Sequence, residues 1–319
     1  MTEPKKVVLS IIIPIFNEEE GLPNLIPVIL KEAEKAHPDF ELIFSNDGSS
    51  DRSEAIIFEW IKKDPRIKLI SLSRNFGHHP AVQAGLDSCR GQAVILMDGD
   101  FQDPPELISE IFQKWREGYE IVYTSKTSRN DPPLRRLFFD FFYRVFNLFS
   151  TFPIQPGVGV FSLMDRKALE VLRDMPERNK YLAGMRQWVG FRQFCFEFDR
   201  PSRQYGEAKQ TLTKLFRLAL DALFSFSRLP IRIVWFLGCL GVTFSILGTI
   251  YALMLRLILG TAILGWTSIL LGILFMGGVQ LICFSILGEY QIRIYDEVKQ
   301  RPYYVVSRKQ GFDETQELR

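Results

Sequence analysis

The stretch Val94-Ile-Leu-Met-Asp98-Gly-Asp100-Phe-Gln102-Asp103-Pro104-Pro105 sets two carboxylates at i and i+2, an amide two residues on, and a third carboxylate beside it. The apolar residues before Asp98 read as a buried strand, and the proline pair turns the chain away afterwards. Hard oxygen donors in this order suit Mg²⁺ or Mn²⁺, with a diphosphate completing an octahedral shell. Asp98, Asp100, Gln102 and Asp103 are the oxygen donors this stretch offers. An isolated Asp-x-Asp is usually a solvated turn; its position at the end of an apolar run, inside the fuller pattern, gives it specificity. Three more polar clusters follow apolar runs: Asn17-Glu18-Glu19, Asn46-Asp47-Gly48 and Ser73-Arg74-Asn75. His78-His79 has no carboxylate or Cys partner at metal-ligand spacing and is not read as a ligand pair.

The elements that must position these clusters alternate. Strand-like runs at Val7–Ile13, Phe40–Ser45, Ile67–Ser71 and Ala93–Met97 are each followed by a helical stretch, at Leu22–Ala36, Ser53–Lys62, Ala81–Cys89 and Glu106–Glu117. Such alternation predicts an α/β domain with a mostly parallel sheet covered on both faces. Functional groups in such a sheet gather beyond the carboxyl ends of the strands, where all four clusters fall. No strand-like run is followed by Gly-x-Gly-x-x-Gly, which disfavours a Rossmann dehydrogenase.

After about residue 230 the pattern changes. Ile233–Leu255 contains no charged residue, and as a helix it would reach roughly 35 Å, enough to cross a hydrocarbon core. Arg256 and a short Gly-containing connection lead to a second uncharged run, Trp266–Gly288. The expectation is a transmembrane hairpin over residues 231–289, with helices about 233–255 and 266–288. Arg228 and Arg232 precede the first span; Arg293, Lys299, Arg301, Arg308 and Lys309 follow the second. By the positive-inside rule, the domain at 1–211 and the tail at 290–319 both lie in the cytoplasm. Polar residues recur at helical spacing in 134–149 and in 212–228, among Phe and Leu; the segment 212–230 reads as an amphipathic interfacial helix leading into the first span.

Composition removes other classes. Lys+Arg 39 against Asp+Glu 37 leaves a net charge of +2, which argues against a nucleic-acid partner. Four widely spaced cysteines with no Cys-x-x-Cys pair make a disulfide framework or zinc site improbable. The start, Met1 to Lys6, runs into a β-branched segment with neither an apolar signal core nor a cleavage site.

With these motifs assembled, the sequence resembles the inverting glycosyltransferases of family two, and within them the branch of dolichol-phosphate mannose synthases and bactoprenol glucosyltransferases. The resemblance covers essentially the whole chain. It is carried by Ser10-Ile-Ile-Ile-Pro14-Ile-Phe16-Asn17-Glu18-Glu19, Asn46-Asp47-Gly48-Ser49-Ser50-Asp51, Leu72-Ser-Arg74-Asn75-Phe-Gly77, the Asp98–Pro105 segment, Met175-Pro-Glu-Arg178-Asn179, and the two C-terminal spans. It implies a GT-A type nucleotide-diphospho-sugar domain in which Pro14, Phe16, Glu18, Asn46, Asp47, Arg74 and Asp98 surround the nucleotide-sugar. It also implies a metal and diphosphate held by Asp98, Asp100 and Gln102, and phosphate-facing basic residues Arg203 and Lys209.

The implied activity is transfer of one sugar, with UDP-glucose the first choice of donor, to a polyisoprenyl phosphate such as undecaprenyl phosphate. The chain departs from the pattern twice. Asn46-Asp47 stands where the family usually has two aspartates, and Gly157, Val160 and Ser162 stand at usual acidic and arginine positions. No catalytic base is assigned. A processive polysaccharide synthase would carry Gln-x-x-Arg-Trp, absent here; a catalytically degraded membrane scaffold is the other rival, countered by the intact Asp98-x-Asp100-x-Gln102. Homo-oligomer formation is left open.

Overall fold

The computed structural model describes residues 7–126, 158–175, 177, 182–198, 229–259 and 265–312. In chain order the described elements are β1 (Leu9–Ile15), α1 (Leu22–Ala36), β2 (Phe40–Asn46), α2 (Ser53–Ile61), β3 (Ile67–Leu72), α3 (His78–Ser88), β4 (Ala93–Leu96) and α4 (Leu107–Arg116). They continue with β5 (Ile121–Lys126), β6 (Val158–Asp165), α5 (Arg166–Asp174), α6 (Leu182–Val189), β7 (Gln193–Phe198), α7 (Leu229–Leu259), α8 (Trp266–Val298) and β8 (Val306–Gln310). The chain divides into two units, one formed by residues 1–147, 152–211 and 301–319, the other by 148–151 and 212–300.

The first unit holds one eight-stranded sheet in the order β7-β5-β6-β4-β1-β2-β3-β8. Its centre, β4-β1-β2-β3, is parallel, as the strand–helix alternation predicts. β6 runs antiparallel to β4 and β5, and β8 antiparallel to β3, so the sheet is mostly parallel with reversed members toward its sides. Every residue of β1, β2 and β3 is buried, because helices cover both faces and an alternating pattern would leave polar side chains inside. Alternate residues Leu9, Ile11, Ile13 and Ile15 pack with Leu42, Phe44, Ile95 and the inner faces of α1 and α4; α3 lies against β1, β2 and β3.

One buried charge cluster is fully partnered. Glu41, almost completely buried, accepts Ser10 Oγ at 2.5 Å, Lys68 Nζ at 2.5 Å and the Arg90 amide at 2.6 Å. A carboxylate inside the sheet is tolerated only with that many donors.

Within the segment 290–319, read from the sequence as a tail, residues 290–298 belong to α8 and 306–310 form β8, an edge strand of the sheet. The tail shows no apolar alternation in Val306-Ser-Arg-Lys-Gln310, since an edge strand with exposed Arg308 and Ser307 needs no hydrophobic face.

In the second unit, α7 and α8 are helices of 31 and 33 residues that contact each other. Trp235, Phe236, Phe244, Leu257, Leu281 and Phe284 are each more than half exposed. Several side chains of both helices lie outside the described set, and among the described residues no helix is long and apolar enough to cross a membrane.

Candidate active site

The parallel centre of the sheet delivers the first four polar clusters to one edge. In the register, Ile15 pairs with Asn46 and Asn46 with Ser71, so β1, β2 and β3 end level and their loops emerge side by side. These loops are then laced together by side chain to backbone hydrogen bonds. The Asn17 amide donates to Ser49 Oγ at 3.0 Å, the Ser50 amide to Asn17 Oδ1 at 2.9 Å, and the Glu18 amide to Ser53 Oγ at 2.9 Å. Asn17 takes a positive φ of 54°, a conformation Asn tolerates better than most residues. The Glu19 amide donates to Asp51 Oδ2, and Glu19 Oε2 in turn accepts the Arg52 amide.

Asp47 performs the same service for the next loop. Its Oδ1 accepts the Phe76 amide at 2.7 Å and its Oδ2 accepts the Gly77 amide at 2.9 Å. Burial pushes this carboxyl above its ordinary pKa, and the Phe76 and Gly77 amides pull it part of the way back. Gly48, at φ +68°, brings the β2–α2 loop so near the β3–α3 loop that a Cβ would lie 2.6 Å from the Arg74 carbonyl carbon. Only glycine fits both the conformation and the gap.

Asn46, the departure from the family pattern, is itself committed. Its Oδ1 accepts the Ser49 amide at 2.9 Å, and its Nδ2 donates to Glu54 Oε2 at 3.3 Å. Pro14 is buried within β1, whereas Phe16 and Glu18 are partly exposed just beyond it. Arg74 is exposed, its guanidinium 4.0 Å over the Phe76 ring.

Beyond β4 the acidic loop is wound on itself. The Asp98 amide donates to Asp103 Oδ2 at 2.9 Å, and the Gln102 amide to Asp100 Oδ1 at 3.2 Å. Phe101 takes φ 59°, which turns the chain sharply between the two potential ligands. Asp103 is buried and serves as the loop's internal cap, while Asp98 keeps a quarter of its side chain exposed. Among the described residues no group of three or more His, Cys, Asp or Glu is set to hold a metal ion by itself. Two carboxylates and an amide nevertheless fit a Mg²⁺ or Mn²⁺ shared with a diphosphate, where the ligand supplies the remaining oxygens.

His78 was not legible as a site residue. Folding carries it from the start of α3 to Asp98, with Nε2 3.8 Å from Oδ1. Its only sequence signal was its place one turn after the Ser73-Arg74-Asn75 cluster. His79 behind it is partly buried, with its Nδ1 shut away from solvent and its pKa lowered to about 4 mainly by desolvation.

Of the other expectations, Ser162 is buried and its hydroxyl donates to the Val160 carbonyl at 2.9 Å. Arg186, also buried, donates to the Gly159 and Val160 carbonyls at 2.7 and 3.3 Å. Arg203, Lys209 and Gly157, and the segments 134–149 and 212–228, lie outside the described residues.

A family model described as "Glycosyl transferase family 2" matches residues 10–173, from β1 through nearly all of α5, and so includes every loop of this edge. The chain is a family-2 glycosyl transferase. This transferase is 40% identical over 306 residues to an uncharacterized glycosyltransferase of Synechocystis, covering 96% of each chain. It is 39% identical over 301 residues to a prophage-derived bactoprenol glucosyl transferase of Shigella flexneri, covering 94% of this chain and 97% of the relative. A prophage bactoprenol glucosyl transferase homolog of Escherichia coli is 38% identical, with 94% and 98% covered. At this coverage the similarities run past the family-2 segment into α7 and α8. The α/β, mostly parallel, GT-A-like domain is thus that of a glycosyl transferase, and the laced edge lies within its family-2 segment.

Proposed function

We propose that this family-2 transferase moves one sugar from a nucleotide-sugar, with UDP-glucose the first choice, onto a polyisoprenyl phosphate such as undecaprenyl phosphate, with inversion at the anomeric carbon. The observation that carries this reading is the full-length similarity to bactoprenol glucosyl transferases, which includes the C-terminal helices and not only the nucleotide edge. The lacing of the first three loops supports a preformed donor site, because few side chains are left to be ordered on binding.

In this mechanism Asn46, Asp47, Phe16 and Glu18 frame the nucleoside, and Asp98, Asp100 and Gln102 hold a Mg²⁺ or Mn²⁺. When bound, the cation supplies charge stabilisation for the departing diphosphate. Arg74, at the same edge, and Arg203 and Lys209 add positive charge toward the phosphates. The acceptor oxygen is already ionised near neutral pH, so displacement from the face opposite the leaving group needs no strong general base. That agrees with Ser162 being buried and internally hydrogen-bonded.

We also infer that α7 and α8 anchor the enzyme in a bilayer, with the catalytic unit and both termini cytoplasmic. Support comes from the charge-free runs 233–255 and 266–288 and from the exposed Trp235, Phe236, Leu257 and Phe284, whose apolar surface water would disfavour. The test is direct. Purified protein in detergent is given undecaprenyl phosphate and a panel of nucleotide-sugars, and the lipid fraction is examined by mass spectrometry. A single-sugar lipid phosphate with one preferred donor is expected; polymer, or no lipid product from any donor, would overturn the reading.

A further inference from the structure

β8 belongs to none of the chemical motifs, yet it lies beside one of them. It pairs antiparallel with β3 at the outer edge of the sheet, and the contact continues past the strand end, where the Ser73 amide donates to the Val305 carbonyl at 2.9 Å. Ser307 Oγ donates to the Ser71 carbonyl at 2.9 Å, and the Tyr304 hydroxyl to Asp87 Oδ2, near the end of α3, at 2.8 Å. Arg308 Nη1 lies 3.9 Å from Glu54 Oε1, and the other oxygen of Glu54 is the acceptor for Asn46 Nδ2. At the strand's far end Gly311, at φ +77°, passes so near β3 that a Cβ would fall 2.6 Å from the Ile67 carbonyl oxygen. Phe312 is buried there, with the Lys68 ammonium 5.1 Å from its ring centre.

We propose that residues 304–311 are a positioning element of the donor site: β8 fixes the β3–α3 loop that presents Arg74 and His78, and Arg308 orients the Asn46 amide through Glu54. The inference rests on the reading of this edge as the nucleotide-sugar site. Without β8, β3 is an edge strand, and a loop leaving an unpaired edge opens at little cost. Asp47 grips that loop at Phe76 and Gly77, after Arg74; Val305 grips it at Ser73, before Arg74. Arg74 is thus held on both sides only when the strand is docked. Displacements of an ångström at a binding group are enough to cost a large factor in productive binding. The Arg308–Glu54 pair is partly exposed and weak in isolation, but it touches a carboxylate whose second oxygen is already committed to Asn46.

The test uses the full-length protein in detergent, with UDP and GDP as probes in calorimetry and amide hydrogen exchange as the structural readout. Two variants detach the strand. Gly311→Val forces a side chain against Ile67, and the double variant Arg308→Pro/Lys309→Pro removes a ladder N–H whichever of the two faces β3. Exchange is expected to rise at 304–310 and, with it, at 73–77, while the nucleotide Kd rises about tenfold and kcat at saturating donor stays within about threefold. Arg308→Ala should raise Kd about threefold and Arg308→Lys should restore most of it, an outcome a purely structural role would not produce. Detached β8 with unchanged protection at 73–77 and Kd within about twofold of the parent would overturn the proposal. If neither strand variant folds, equal Kd values for Arg308→Ala, Arg308→Lys and the parent overturn the Asn46 half. If the parent binds neither nucleotide, the donor-site reading fails, and the loop-fixing role is then decided by exchange at 73–77 in a variant that folds.

Discussion

Asp98 and Asp100 lie two residues apart in sequence but are held differently: Asp98 through its own amide by Asp103, Asp100 by accepting the Gln102 amide. Losing one electrostatic element of a closed site costs on the order of 10²–10³ in kcat, about 3–4 kcal/mol. Asp100→Ala is expected to show that loss at unchanged melting temperature, and chelation by EDTA to abolish turnover that Mg²⁺ or Mn²⁺ restores. Full activity in chelator would remove the metal from the mechanism. His79 makes a separate prediction. Its pKa is about 4 in the folded chain, against about 6.5 in an unfolded one. The unfolded chain therefore takes up the proton first as pH falls. The stability from keeping His79 neutral is complete above about 6.5, declines as pH drops through that value, and levels off below about 4, a swing of about 3 kcal/mol. Melting temperature measured from pH 8 to pH 4 should fall less in His79→Leu than in the parent; parallel curves would show that His79 is not the group responsible.

The element that matters most to the site is neither a strand nor a helix but the set of three loops beyond β1, β2 and β3. Their hydrogen bonds run from one loop to the next, through Asn17, Asp47 and Ser49, so that each loop is rigid because its neighbour is. Gly48 is the point of closest approach. Gly48→Ala adds both a left-handed strain of about 1 kcal/mol and a clash with the Arg74–Asn75 backbone. A stability loss above about 2 kcal/mol is expected in denaturant unfolding, with a weakened nucleotide Kd. A neutral substitution would mean that the two loops are not in contact in solution. The reach of this lacing was hidden from the sequence: Asn46-Asp47-Gly48 is legible as a polar turn, but nothing in its spacing says that Asp47 spends both oxygens on amides 29 and 30 residues away.

At the scale of the molecule, a unit with a buried sheet is joined to two long helices that present Phe244, Ile250, Leu257, Ile273 and Leu281 to their surroundings. Such surface is stable in lipid and costly in water, at roughly 25 cal/mol per Å². In sealed inside-out and right-side-out vesicles, a membrane-impermeant label is expected to reach single cysteines at 256–265 only from the outer face. Cysteines near either terminus should react only from the cytoplasmic face. Labelling of the Asp98 domain from outside would overturn the orientation derived from Arg228, Arg232, Arg293 and Lys299.

The sequence by itself determined the alternation of strands and helices, the bounds of α1, and the four clusters at the sheet edge. Each is a local matter: apolar runs of strand length ending in Asn, Asp or Gly dictate where strands stop and polar loops begin. It also determined the family, because Asp98-Gly-Asp100-Phe-Gln102 and its companion motifs are contiguous stretches. What only the tertiary structure decided depends on contacts between distant residues. The pairing of 306–310 with β3, more than 230 residues away, leaves no trace in a strand with a polar, exposed face. Likewise the approach of His78 to Asp98, and the chain from Arg308 through Glu54 to Asn46, exist only because a parallel sheet brings the ends of its strands to one edge. Periodicity records which face of an element is buried, but not which element it is buried against.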